Sequence, residues 1–192
     1  MKRKNVKRTQ QIFLAVFIAM IMTTSILGFL WGQESGEQLK YKNKVFTRQQ
    51  EVWVTEVNGL KKSFYHFPSQ VEDIPVDANA ISTIKNTPMV YMTYDPNQTA
   101  VNYIAQGIFD LNEEFSAINI YSVNALTKEN KFNSPIITCL NATANTPVVY
   151  FEQTNQTRIS FDNNCIVVEA KTGLDFLRAR DRILYAISGI LE

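Results

Sequence analysis

Residues 89–117, MVYMTYDPNQTAVNYIAQGIFDLNEEFSA, contain the transition on which the fold turns. The first six form a nearly continuous apolar run of the kind found in strands buried on both faces, and they predict a central strand. Asp95 then offers a helix-capping carboxylate, Pro96 a ring suited to the first helical position, and Gln98 a side chain placed to close a capping box. A helix is expected to start there. Val101, Ile104, Ala105, Ile108, Leu111 and Phe115 recur at helical spacing as one apolar face, with Asn102, Gln106, Asp110, Glu113 and Glu114 mostly off it. Residues 118–123, INIYSV, read as a second strand, so strand, helix and strand make a βαβ unit with parallel pairing.

Toward the N-terminus, Val52, Val54 and Val57 lead into Asn58-Gly59, the strongest short hairpin signal, and residues 63–67 return as an aromatic strand. His66 lies in that strand, where a half-exposed or hydrogen-bonded histidine is the ordinary reading. Residues 78–84, ANAISTI, read as a short helix or an irregular crossing segment. Residues 33–48 are polar and aperiodic, which places a linker over 32–50 and a globular domain over 51–192.

Toward the C-terminus, residues 136–142 form a short helix or strand carrying Cys139, and Thr146-Pro147 precedes a third strand, VVYF. Residues 157–161 are expected to pair antiparallel with it, and Asn163-Asn164 turns the chain into CIVVE, which makes these three strands a meander. A helix from about 174 to 191 closes the chain. With Leu177, Leu184, Ile187 and Leu191 as its buried stripe, Arg180 falls near the middle of the stripe and Asp181 on its edge. Burying either charge unpaired costs several kcal/mol, so a pair with a neighbouring acid, or snorkelling of the Arg180 stem, is expected.

That order of elements resembles the thioredoxin-like fold over roughly residues 88–191. Thr146-Pro147 ahead of VVYF looks like the Thr-cis-Pro of that family, which makes Pro147 a cis-proline candidate. Where the family places Cys-x-x-Cys, this chain has Tyr94-Asp95-Pro96-Asn97, so the resemblance implies a redox-inert relative used for binding or scaffolding. The fold class expected is α/β (α+β): an N-terminal transmembrane helix, then a thioredoxin-like mixed-sheet domain with an extra N-terminal β-hairpin.

The anchor expectation rests on residues 12–31, IFLAVFIAMIMTTSILGFLW, which hold no charge. A helix rising about 1.5 Å per residue covers with them roughly the 30 Å of a hydrocarbon core. Lys2, Arg3, Lys4, Lys7 and Arg8 precede the run and the first charges after it are Glu34 and Glu37, which orients residues 1–11 to the cytoplasm and exports the rest. A cleaved signal peptide would have a shorter apolar region and a small-residue cleavage site, and a pilin-type leader would have a small residue before the run. Of 19 basic and 18 acidic residues, 14 basic and 18 acidic follow the run, a balance that excludes a nucleic-acid binder.

In an exported setting Cys139 and Cys165 read first as a disulfide. Two cysteines and one histidine cannot fill a tetrahedral metal site unaided, and no cofactor motif is present. Asn97, Asn141 and Asn155 each begin an N-x-T sequon and are glycosylation candidates. No catalytic set emerges. The expectation is a single-pass, membrane-anchored extracytoplasmic domain of binding or scaffold role, touching membrane lipid through its helix and a protein partner in the envelope or extracellular space. The alternatives are a thiol-disulfide protein using the two cysteines and a pilus or envelope assembly subunit.

Overall fold

The computed structural model describes residues 12–25, 36–129 and 133–192. They divide into two units, Met1–Glu37 and Gln38–Glu192. In the first, residues 12–25 form helix α1, whose Thr23 and Thr24 hydroxyls donate to the carbonyls of Ala19 and Met20 one turn earlier. Fourteen residues rise about 21 Å, and among the described residues no helix is long and apolar enough to cross a membrane. The basic segment 1–11 and the end of the apolar run at 26–31 lie outside the described residues.

The second unit begins with β1 (Gln38–Tyr41), β2 (Lys44–Gln49), β3 (Val52–Val57) and β4 (Leu60–Phe64), an antiparallel sheet in chain order. The folded unit therefore starts at Gln38, and the linker expected over 32–50 is mostly a hairpin. Lys42, at φ 49°, makes its turn, and Phe46, fully buried, anchors it. One inward side chain in a six-residue strand leaves no period to read. Asn58 and Gly59 both have positive φ, 53° and 79°, as a two-residue type I′ turn requires.

Then come α2 (Ala78–Asn86), capped by Asp77, β5 (Met89–Tyr94), α3 (Val101–Ala117), β6 (Tyr121–Leu126), β7 (Val148–Gln153), β8 (Arg158–Asp162), β9 (Cys165–Ala170) and α4 (Gly173–Ile187). The second sheet has the order β6-β5-β7-β9-β8, and the βαβ unit of β5, α3 and β6 is parallel. Its helix starts six residues after Asp95. That carboxylate instead accepts from Asn97 N at 3.0 Å within a turn and from Lys128 Nζ at 2.5 Å. The Gln98 amide reaches across to Phe151 O and Gln153 N, fastening the loop to β7 rather than to the helix. The second strand also starts later than residue 118, because Asn119 reverses the chain at φ 62°.

The expected meander is absent. β7 pairs in parallel with β9, and β8 lies outside both. Strands apolar on both faces take the interior of a sheet, whereas RISFD, charged at each end, suits an edge. Segment 75–77 covers that edge, Asp77 N donating to Ile159 O and Ile159 N to Pro75 O, each at 2.9 Å. The peptide before Pro147 is trans, so the cis-proline expectation fails; Thr146 closes a tight turn with Thr143, and Pro147 O accepts from Tyr91 N.

Helix α4 lies between the two sheets. Phe176 meets Phe151 of the second sheet at 6.4 Å, and Tyr185 stacks on Phe64 of the first at 3.9 Å and 10°. Its buried residues run without a break from Ala179 to Ala186, so it has no single buried stripe of the kind expected.

Candidate functional site

The clamped helix carries charge into the interior, and the rest of the domain is arranged to receive it. Arg180 and Asp181 are 4% and 0% exposed. Arg180 NH1 donates to Asp181 Oδ1 at 2.6 Å and to Ser63 O of β4 at 3.1 Å, and its Nε lies 3.6 Å from Asp110 Oδ2 on α3. Asp110 was expected mostly off the buried face, yet it is buried, because α3 packs against α4 as well as against its own sheet. Its other contacts are Tyr65 OH at 2.9 Å and Gln106 Nε2 at 2.9 Å.

Past the end of β4, Tyr65 and His66 turn toward the helices. Asp181 Oδ2 accepts from the His66 backbone N at 2.8 Å and lies 2.9 Å from its Nδ1; Tyr185 OH donates to His66 O at 2.7 Å. An Nδ1 facing a carboxylate oxygen acts as the donor of that contact. The Arg180 guanidinium sits 5.3 Å from the Tyr65 ring centroid, a cation–π distance. Burial, then the hydrogen bond to Asp110, raise the Tyr65 hydroxyl above its ordinary range, and burial raises Tyr185 further. Both stay protonated donors at neutral pH.

Two depressions flank the Tyr65-His66 segment. One, of about 340 Å³, is lined by Trp53, Tyr65, His66, Phe67, Ser69 and Gln70 among others; the smaller, about 90 Å³, by Asp110, Glu113, Glu114 and Arg180 among others. The first is large enough for a small polar group or a protein side chain. Lys62 pairs with Glu114 at the rim of the second, the lysine being only 8% exposed. Among the described residues no three His, Cys, Asp or Glu side chains are placed to hold a metal ion.

Cys139 and Cys165 are joined, their Cα atoms 5.3 Å apart, within the usual range for a disulfide. Cys165 opens β9 on the sheet face away from the helices, and Cys139 lies in a 3₁₀ turn, Cys139–Asn141, of the β6–β7 connection. The bond pins that connection to the sheet, as does Thr93 Oγ1 donating to Ile137 O at 2.8 Å. Asn97, Asn141 and Asn155 are all exposed, at three separate turns, and none touches the charge cluster. Pro147 is also remote from it in the fold, at the entry to β7.

Arg180 and Asp181 thus stand together, while Tyr65, His66, Gln106 and Asp110 complete a cluster that sequence reasoning did not assemble. The aromatic residues after β4 were the available signal; nothing local links them to α4. Fold and site define a three-layer α+β domain, sheet on helices on sheet, with an ion cluster at its centre and one disulfide on its outer face. No family model, no curated protein and no solved structure matches the chain.

Proposed function

We propose that this chain is a membrane-tethered, exported domain that binds or scaffolds another protein and carries no chemistry of its own. The observation that carries this reading is the Cys139–Cys165 disulfide, since such bonds persist in oxidising compartments outside the cytoplasm. The uncharged run 12–31 behind a basic segment supplies the tether, with its positive flank inside. The cluster supports binding rather than catalysis: Asp110, Arg180 and Asp181 are spent on one another and on Ser63, His66 and Tyr65, which fixes the walls of the 340 Å³ depression.

Differential alkylation with mass spectrometry, before and after graded reduction, tests the reading on the full chain in membranes. The bond is expected to be formed in material from the cell and to resist mild dithiol. Protease added from outside should digest the domain in intact cells. Two free thiols in freshly quenched cells, or a domain reached only after lysis, would overturn the reading. Ready reduction with one thiol reacting fast at neutral pH would favour the thiol-disulfide alternative instead.

A further inference from the structure

The described sheets have four edges, and three of them are guarded. β1 carries Lys40 and β4 carries Lys61 and Lys62. β8 carries Arg158 and Asp162 and is also covered by segment 75–77 at Ile159. Charge and cover are the usual means of keeping an edge from pairing with another chain. β6, YSVNAL, has neither charge nor proline, and it ends the five-stranded sheet.

The hydrogen bonds show which backbone groups of β6 are engaged. Tyr121 N donates inward to Pro88 O and Thr127 N to Tyr94 O, so the odd-numbered residues face β5. The even-numbered ones face outward. Of these, Leu126 is satisfied by the connection, its N donating to Pro135 O and its carbonyl accepting from Ile137 N. Among the described residues the N–H and C=O of Ser122 and Asn124 have no backbone partner. Their side chains are held instead from α3, Ser122 Oγ donating to Asn112 Oδ1 at 2.5 Å and Asn112 Nδ2 to Asn124 Oδ1 at 3.1 Å. The strand is thus rigidly presented with its outer ladder open.

The side chains around the start of the strand are apolar or neutral, and Lys128 and Glu129 follow its end. Tyr121 is 68% exposed, and Phe109, on the α3 face that also carries Asn112 and Ser116, is 58% exposed. A groove of about 460 Å³ beside the start of the strand is lined by Asn112, Ser116, Asn119, Ile120, Tyr121 and Ser122, with no charged side chain.

We propose that β6 is a homodimer edge, where a second copy of this chain adds its own β6 antiparallel through Ser122 and Asn124. Self-pairing fits this edge because two neutral strands bring no like charges together, whereas the lysines of β1 and β4 would meet their own kind. An antiparallel pair about a two-fold axis is isologous, so both copies satisfy the same groups. It also sets the two α3 helices on one side of a continuous sheet, with Phe109 of each toward the other. Ile136, paired with Leu126, limits the new ladder to residues 121–125.

The test uses the full chain in detergent, with protein mass read by light scattering, and amide exchange at Ser122 and Asn124 followed across a dilution series. Val123→Lys places a lysine in the new ladder, and Asn124→Pro removes an outward donor at an edge position that tolerates proline. Leu174→Lys, at an exposed site on α4, is the control. The expected result is a dimer whose protein mass halves in both β6 variants and not in the control, with exchange at the two amides quickening on dilution. A monomer at every concentration overturns the proposal. So does a dimer that both β6 variants retain, since association then lies elsewhere, or exchange that dilution does not change.

Discussion

Two regions of this domain hold distant pieces of chain together by opposite means. At the centre, Asp110 on α3 with Arg180 and Asp181 on α4 bind β4 and the residues after it through directed hydrogen bonds, and all three side chains are buried. On the outer face, one covalent bond fixes the β6–β7 connection against β9. The cluster acts in the native state, where each partner removes a desolvation penalty from another; the disulfide acts chiefly by restricting the unfolded chain. Breaking the first leaves a buried charge short of its nearest counter-charge. Breaking the second leaves a native structure that is merely easier to unfold.

The sharpest way to separate them is Asp181→Ala, which takes from Arg180 its nearest carboxylate, leaving it Asp110 at 3.6 Å and Ser63 O, and deprives the His66 backbone of its acceptor. The loss expected is about 3 to 5 kcal/mol in chemical denaturation. Replacing both cysteines by serine, or reducing the bond, should cost about 3.5 kcal/mol for the 26-residue separation. The contrast lies in the spectra: the reduced protein should keep the near-ultraviolet signature of the stacked Phe64 and Tyr185 below its transition, and the Asp181 variant should lose part of it. Tyr65→Phe removes one donor to Asp110 while keeping the ring under Arg180, for about 1 kcal/mol; a loss several times larger would mean that the cluster behaves as a single unit.

The smallest effect belongs to the exposed pair of Asp95 and Lys128, which resembles the cluster in chemistry and not in burial. The hydrogen bond from Lys128, with that from the Asn97 backbone, holds the Asp95 carboxyl below the usual carboxylate range. A carboxyl depressed in the folded state stabilises the fold above its unfolded pKa and loses that contribution as pH falls through the folded one. Lys128→Ala should therefore reduce stability at neutral pH by less than about 1 kcal/mol and flatten its fall in acid. An effect that persisted in high salt would show the pair to be less screened than its exposure implies.

Much of the fold was legible because its signals are local. The Asn58-Gly59 turn, the run at 89–94, the apolar face of α3 and the strands VVYF and CIVV each announce themselves within a few residues. The site was half legible: the position of Arg180 and Asp181 on α4 called for partners, but neither Tyr65 nor Asp110 carries any mark of being one. The hairpin of β1 and β2 escaped notice because only Phe46 points inward. Asp95 was misread because its sequence suits a helix cap and a turn equally, and the contact of Gln98 with β7 decided between them.

By itself, then, the sequence determined most of the strands and helices from Val52 onward, that two cysteines suffice for one bridge, and that a long uncharged run follows a basic start. Only the tertiary structure decided that β9 comes between β7 and β8, that α4 is enclosed by two sheets, and that His66 meets Asp181 across 115 residues. The physical reason is one of range. Periodicity reports which face of an element avoids water, whereas the choice of neighbour depends on shape and charge brought together from far along the chain.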